Sequence, residues 1–173
     1  MLGPTHAALT VASLILGALV FVQQKGGARH RLLGYLYAGT LLLVNVTALS
    51  VYKESSALGP FHILALVSLA TLSGGFVPAF RRWPRGSWLE AHAYFMSWSY
   101  VGLVAAGAAQ MATKLAGSGV LQVAAPTALA VSVGAILIHS RIPRILSGFN
   151  RRRMRPDDSQ PRTAAPLPRI CRW

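Results

Sequence analysis

Acidic residues and cysteine are what this chain has least of. Only four Asp or Glu stand among 173 residues, against 17 Lys or Arg, and Cys171 is the one cysteine. A single cysteine excludes an internal disulfide, a Cys-based metal cage and a CxxCH haem attachment site. The four carboxylates are Glu54, Glu90, Asp157 and Asp158. They form no intramembrane pair, and none lies near the middle of an apolar run, where a proton-coupled transporter would carry one. Glu90 opens a helix, where the helix dipole favours a negative charge. A Gly-rich phosphate loop, a nucleophile elbow and an HExxH pair are also missing. No Lys or Arg precedes the first apolar run, which starts Met1-Leu2-Gly3-Pro4-Thr5-His6. A cleavable secretory signal needs a positive start, so that run is read as a retained helix.

What is present is apolar length. Hydrophobic residues make up 53% of the chain and charged residues 12%, about half the charge of an ordinary soluble domain. A spanning helix needs ~20 mostly apolar residues. Five segments qualify: Thr5 to Val22, His30 to Tyr52, Gly59 to Phe80, Trp88 to Thr113 and Gly119 to His139. None alternates in the manner of a barrel strand, and a helix satisfies its own backbone within lipid. The expected fold is therefore an all-α integral membrane bundle of five transmembrane helices over residues 1–140. Its connections, Gln24 to Arg29, Lys53 to Ser56, Arg81 to Gly86 and Lys114 to Ser118, are short, so successive helices run antiparallel.

The cations orient this bundle. Lys25, Arg29 and Arg31 lie at the first connection, Arg81, Arg82 and Arg85 at the third, and nine arginines follow His139. A five-helix path gathers these fifteen on one side and leaves only Lys53 and Lys114 on the other. The positive-inside rule makes the rich side cytoplasmic. The N-terminus is then outside and the C-terminus inside a bacterial plasma (inner) membrane. Trp83, Trp88 and Tyr52 fall near helix ends, where such rings prefer to sit. Residues 141–173 mix Pro143, Pro156, Pro161, Pro166 and Pro168 with arginines. They read as a disordered basic tail whose expected contact is anionic lipid. Aromatics interleaved with basic residues are absent, so no nucleic-acid partner is expected.

The histidines carry the chemistry. His6 opens the first helix and His62 the third, which places both near the outer face. His30 opens the second helix and His92 lies one turn into the fourth, which places both near the inner face. One pair at each face, each from helices two apart, is the arrangement that bis-histidine ligation of haem b requires. One or two haems are the candidate cofactors, with His6 and His62, and His30 and His92, as axial ligands. Gly34, Gly39, Gly74, Gly75 and Gly102 would let a flat ring approach the backbone. Arg29 and Arg31, with Arg81 and Arg82, would meet propionates at the inner pair; the outer pair has chiefly Lys53. The same residues also read without a cofactor. Histidine is tolerated where helix ends meet interfacial water, small residues let membrane helices pack closely, and His139 reads as interfacial.

The run His30-Arg31-Leu32-Leu33-Gly34-Tyr35-Leu36-Tyr37 after Lys25-Gly26, then Gly59-Pro60-Phe61-His62, then His92-Ala93-Tyr94-Phe95-Met96, resembles the bacterial multi-pass proteins of domain of unknown function 2306. The likeness runs from the first helix to the fifth and implies a membrane protein without naming an activity. In pattern only, the alternate histidines are similar to those of ascorbate-reducible b-type dihaem cytochromes, which have one helix more. Three functions therefore stand open. The first is a small electron-transfer cytochrome with a redox partner. The second is a cofactor-free accessory protein that binds a membrane protein partner. The third is a transporter component lined by Asn45, Thr47, Ser97 and Ser99. A classical catalytic site is not expected. Tyr37, Tyr94 and Tyr100 read as packing or as flanks of a cofactor.

Overall fold

The computed structural model describes residues 2–50, 60–117 and 119–154. Among them there are five α-helices and no strand: α1 (Leu2–Val22), α2 (Ala28–Ser50), α3 (Pro60–Arg81), α4 (Trp88–Ala116) and α5 (Val120–Met154). Tyr52, Lys53, Glu54 and the rest of the expected second connection lie outside the described residues, as do residues 155–173. Four helices have the length and composition to cross a membrane: Gly3–Val22, Ala28–Ser50, His62–Arg81 and Val120–Gly148. The chain is thus an all-helical, multi-pass membrane protein.

The helix that misses that standard is α4, and its place explains why. It packs against α3, α5 and α1, while α1 also packs on α2 and α2 on α3. Helices α1 to α4 therefore close a ring, and α5 rests on the outside of it, against α4 alone. A helix with three protein neighbours needs less apolar surface than one facing lipid. It gains more from small residues that bring backbones together. Buried Ser97, Ser99, Ala105 and Ala109 serve that purpose. The core lies within the ring, where Tyr37, Ala38, Leu41 and Val44 of α2 meet Leu72 of α3 and Leu103 of α4.

Glycines decide how near the helices come. A Cβ at Gly17 of α1 would strike the Tyr100 ring and reach within 3.0 Å of Tyr37. One at Gly75 of α3 would stand 2.8 Å from the Met96 backbone nitrogen, and one at Gly134 of α5 would strike Val101. Three neighbours of α4 thus each present a glycine to it. Helix ends are closed locally. Arg82 takes the left-handed conformation (φ 50°), and the Trp83 N–H donates to the Pro78 carbonyl at 3.2 Å, which is the Schellman pattern. The Lys25 ammonium folds back to donate to the Val20 and Phe21 carbonyls, both at 2.8 Å. Burial there pushes its pKa down.

One expected boundary moves. The sequence reading ends the bundle at residue 140 and begins a disordered tail at 141, but α5 continues to Met154, through Pro143. Ile138, Ile142 and Leu146 recur every four residues. Ile138 and Ile142 are buried, Leu146 is half-buried, and Arg141 and Arg144 between them are exposed. That apolar stripe against α4 holds the helix together past the point where the basic residues begin.

Gly17→Leu is expected to lower stability by about 1–3 kcal/mol through overpacking against Tyr100. Gly39→Ala, which enters open space, should leave the thermal midpoint in detergent unchanged or slightly raised.

Candidate functional site

The ring sets the histidines on its diagonals. Among the described residues the backbones of α1 and α3 do not approach each other, and neither do those of α2 and α4. The α2–α4 diagonal is bridged by side chains alone. His30 and His92 face each other at the end that carries the arginines, with ring centres 6.4 Å apart and planes at 89°. His92 Nδ1 donates to the Gly75 carbonyl of α3 at 3.0 Å. In the neutral ring that donation leaves the lone pair on Nε2. His30 Nδ1 is enclosed and has no hydrogen-bond partner. Between His30 and Tyr37 on the same stripe of α2 lies Gly34, where an added Cβ meets nothing within 4 Å.

Two turns further in, the diagonal is bridged again. Tyr37 and Ser99 lie seven residues beyond His30 and His92, and their hydroxyls meet at 3.0 Å. Ser99 gives its proton to the Met96 carbonyl at 2.8 Å, so Tyr37 donates to Ser99. Tyr100 donates to the Leu14 carbonyl of α1 at 3.3 Å. Nearby, the Ser13 hydroxyl is fully buried and unpartnered. The pairs at His30–His92 and Tyr37–Ser99 are roughly 10 Å apart along the helices, at ~1.5 Å per residue.

The opposite end is built differently. His6 Nδ1 lies 2.8 Å from the Thr47 hydroxyl of α2. Thr47 spends its own proton on the Leu43 or Val44 carbonyl, at 2.8 and 2.9 Å, so it accepts from His6. His62 sits half-buried near the start of α3. His6 is thus engaged with α2, a ring neighbour, whereas His30 faces its diagonal counterpart.

The remaining expected residues sort by use. Arg29 and Arg31 flank His30 and are exposed, as are Arg81 and Arg82. Gly74 and Gly75 admit Phe95 and Met96, whereas Gly39 and Gly102, like Gly34, face open space. Asn45 donates to Ser68 of α3 at 3.2 Å, so Asn45, Thr47 and Ser99 all hydrogen-bond inside the bundle. Ser97 is buried. His139 bonds the Ala135 carbonyl at 2.9 Å and sets its ring against Tyr94 at 5.9 Å. Gly17 and Gly134 were not singled out in the sequence; a small residue within an apolar run is the signal they offered. No group of three or more His, Cys, Asp or Glu able to hold a metal ion occurs among the described residues.

The model of the predicted membrane protein family DUF2306 matches residues 3–147. The chain belongs to that family. The DUF2306 match takes in all four ring helices and α5 as far as Ser147, and so includes the turns of α5 that lie against the start of α4. No curated protein matches this DUF2306 chain, and no solved structure does.

Tyr37→Phe should cost about 1 kcal/mol, the usual worth of a buried hydrogen bond between membrane helices. Ser99→Ala should cost a similar amount, and the double variant no more than either alone; chemical denaturation in mixed micelles reads all three.

Proposed function

We propose that this DUF2306 protein spans a bacterial plasma membrane five times, with its N-terminus outside and C-terminus inside, and that it is a small electron-transfer protein carrying haem b between His30 and His92. The position of α4 within the ring favours its crossing with the other helices. The excess of Lys and Arg at one end favours that end as cytoplasmic.

The haem reading is carried by one observation, the facing of His30 and His92 across the diagonal. Imidazole nitrogens bind a metal at ~2.0–2.1 Å, so two imidazoles sharing one ion hold their ring centres about 6 Å apart. The 6.4 Å seen here matches that reach. The Gly75 carbonyl supplies the second hydrogen bond that orients a ligating histidine. Open space at Gly34 leaves room for a flat ring against α2. Bound there, haem supplies one-electron chemistry, and the protein supplies its ligands, orientation and shielding from water. The inner pair is favoured because its two imidazoles face each other across the diagonal, whereas His6 turns to Thr47 of the neighbouring α2. One haem per chain is therefore expected rather than two. The alternative is a cofactor-free accessory protein that binds a membrane protein partner. Its support is that Tyr37, Asn45, Ser68 and Ser99 already satisfy one another inside the bundle.

Purified in mild detergent, the protein should show a sharp Soret band and, after dithionite, the α and β bands of a b-type haem at one per chain. His30→Ala and His92→Ala should each abolish the spectrum while helicity by circular dichroism stays; His6→Ala should keep it. A folded but colourless protein from haem-replete cells would sink the haem reading. Loss in His6→Ala and retention in His92→Ala would move the site to the opposite end. For the topology, single cysteines placed in a Cys171→Ser background should label from outside at Lys114 and from inside at Arg85; the reverse pattern overturns the orientation.

A further inference from the structure

Among the Lys and Arg whose side chains are described, every one is exposed except Lys25, which is half-buried. Burying an ammonium costs free energy unless hydrogen bonds and an opposite charge meet it. Lys25 has the first and lacks the second. Its ammonium donates to the Val20 and Phe21 carbonyls at the end of α1, both at 2.8 Å, and lies 5.7 Å from the centre of the Phe21 ring. Glu90, the one carboxylate among the described residues, is exposed and makes no ion pair with it. An ammonium has three protons to donate. Two are taken here, and the third is unused among the described residues.

Rings fix the side of α1 on which this ammonium sits. Phe21 packs on Tyr100 of α4, with ring centres 5.2 Å apart, and Tyr100 packs on Tyr37 of α2 at 6.3 Å. The ammonium over Phe21 is therefore on the side of α1 that faces α4 and α2. Its height follows from His6 against Thr47 and Gly17 against Tyr37. Counting on from these, Val20 and Phe21 come level with Gly34 and Leu33, about one helical turn, or ~5 Å, from His30. Gly34 is the position beside His30 that adjoins open space. At this range the charge of Lys25 acts on the His30 ring. A lysine on the last carbonyls of a helix also caps it. Capping uses two protons and leaves a cation beside His30 with no anion to match it.

We infer that Lys25 is a propionate-binding residue of the candidate haem site. Its third proton and its charge hold a carboxylate of the haem carried between His30 and His92, so the inference rests on the haem reading above. A carboxylate accepts that hydrogen bond and supplies the missing opposite charge. A cation at this place also favours the more electron-rich, reduced iron, so the reduction potential reports on Lys25.

The test uses the full chain purified with its haem, in a redox titration followed by the visible spectrum and in transfer of haem to apomyoglobin. Lys25→Gln and Lys25→Met both remove the charge, and Gln keeps donors for the carbonyls. Each should retain one haem per chain with unshifted α and β bands, because His30 and His92 are untouched. The potential should fall, and haem should leave roughly tenfold faster, the worth of one hydrogen bond to a charged group. Lys25→Arg should stay near the parent in both. Arg29→Gln/Arg31→Gln should move the potential less than Lys25→Gln, and high salt should erase that smaller change, because exposed charges are screened. If Lys25→Gln and Lys25→Met match the parent in potential and haem loss, Lys25 only caps α1 and the inference falls. It falls too if Lys25→Arg behaves as Lys25→Gln does, or if the arginine double variant shifts the potential as far. A colourless parent sinks the haem reading itself; a coloured parent with silent Lys25 variants sinks this inference alone.

Discussion

Close approach to α4 is the constraint on which the other features rest. Lipid provides no hydrophobic drive for one apolar helix to leave it for another, so association depends on how closely backbones meet and on hydrogen bonds between them. Gly17, Gly75 and Gly134 come from three different helices, and each places its bare Cα against α4. Without those contacts Tyr100 could not lie on α1, nor Met96 on α3, nor could α5 be attached. The polar content of α4 follows from the same fact. Enclosed on three sides, it can bury Ser97 and Ser99 where a lipid-facing helix would carry Leu.

Polar groups inside the ring sit in layers. His30 with His92, Tyr37 with Ser99, and Asn45 with Ser68 each join different helices, and His6 with Thr47 closes the opposite end. Leu41, fully buried, separates the second layer from the third. Gaps of roughly 10 Å between the histidine and tyrosine layers, at ~1.5 Å per residue, exceed hydrogen-bond reach. Between the described residues these bonds act as clasps, each joining a pair of helices.

The two ends differ in what they offer a ligand. At the basic end the histidines face each other, one is anchored through Nδ1, and open space adjoins the pair. At the other end His6 donates through Nδ1 to Thr47 of the neighbouring α2. The basic end is also where α5 runs alongside the start of α4. A continuous helix through Pro143 makes this possible. Burial of Ile138 and Ile142 against α4 outweighs the backbone hydrogen bond that proline removes.

Much of this was legible in the residues alone. Apolar run length decided where the helices lie, because each must cover the hydrocarbon thickness and close its own hydrogen bonds. The placement of Lys and Arg decided which ends lie together. The offset of His30 and His92 from their helix starts set them at one level, where they face each other. What the chain could not announce was contact across helices far apart in sequence. That Tyr37 meets Ser99, that Gly17 receives Tyr100, and that His6 turns to Thr47 depends on the angle at which each helix faces its neighbours. Composition sets only that a helix is apolar; rotation about its axis is decided when glycines and hydroxyls find partners. The end of α5 depends on contact in the same way. Its prolines and arginines describe a loose tail until α4 supplies a surface for Ile138 and Ile142 to cover.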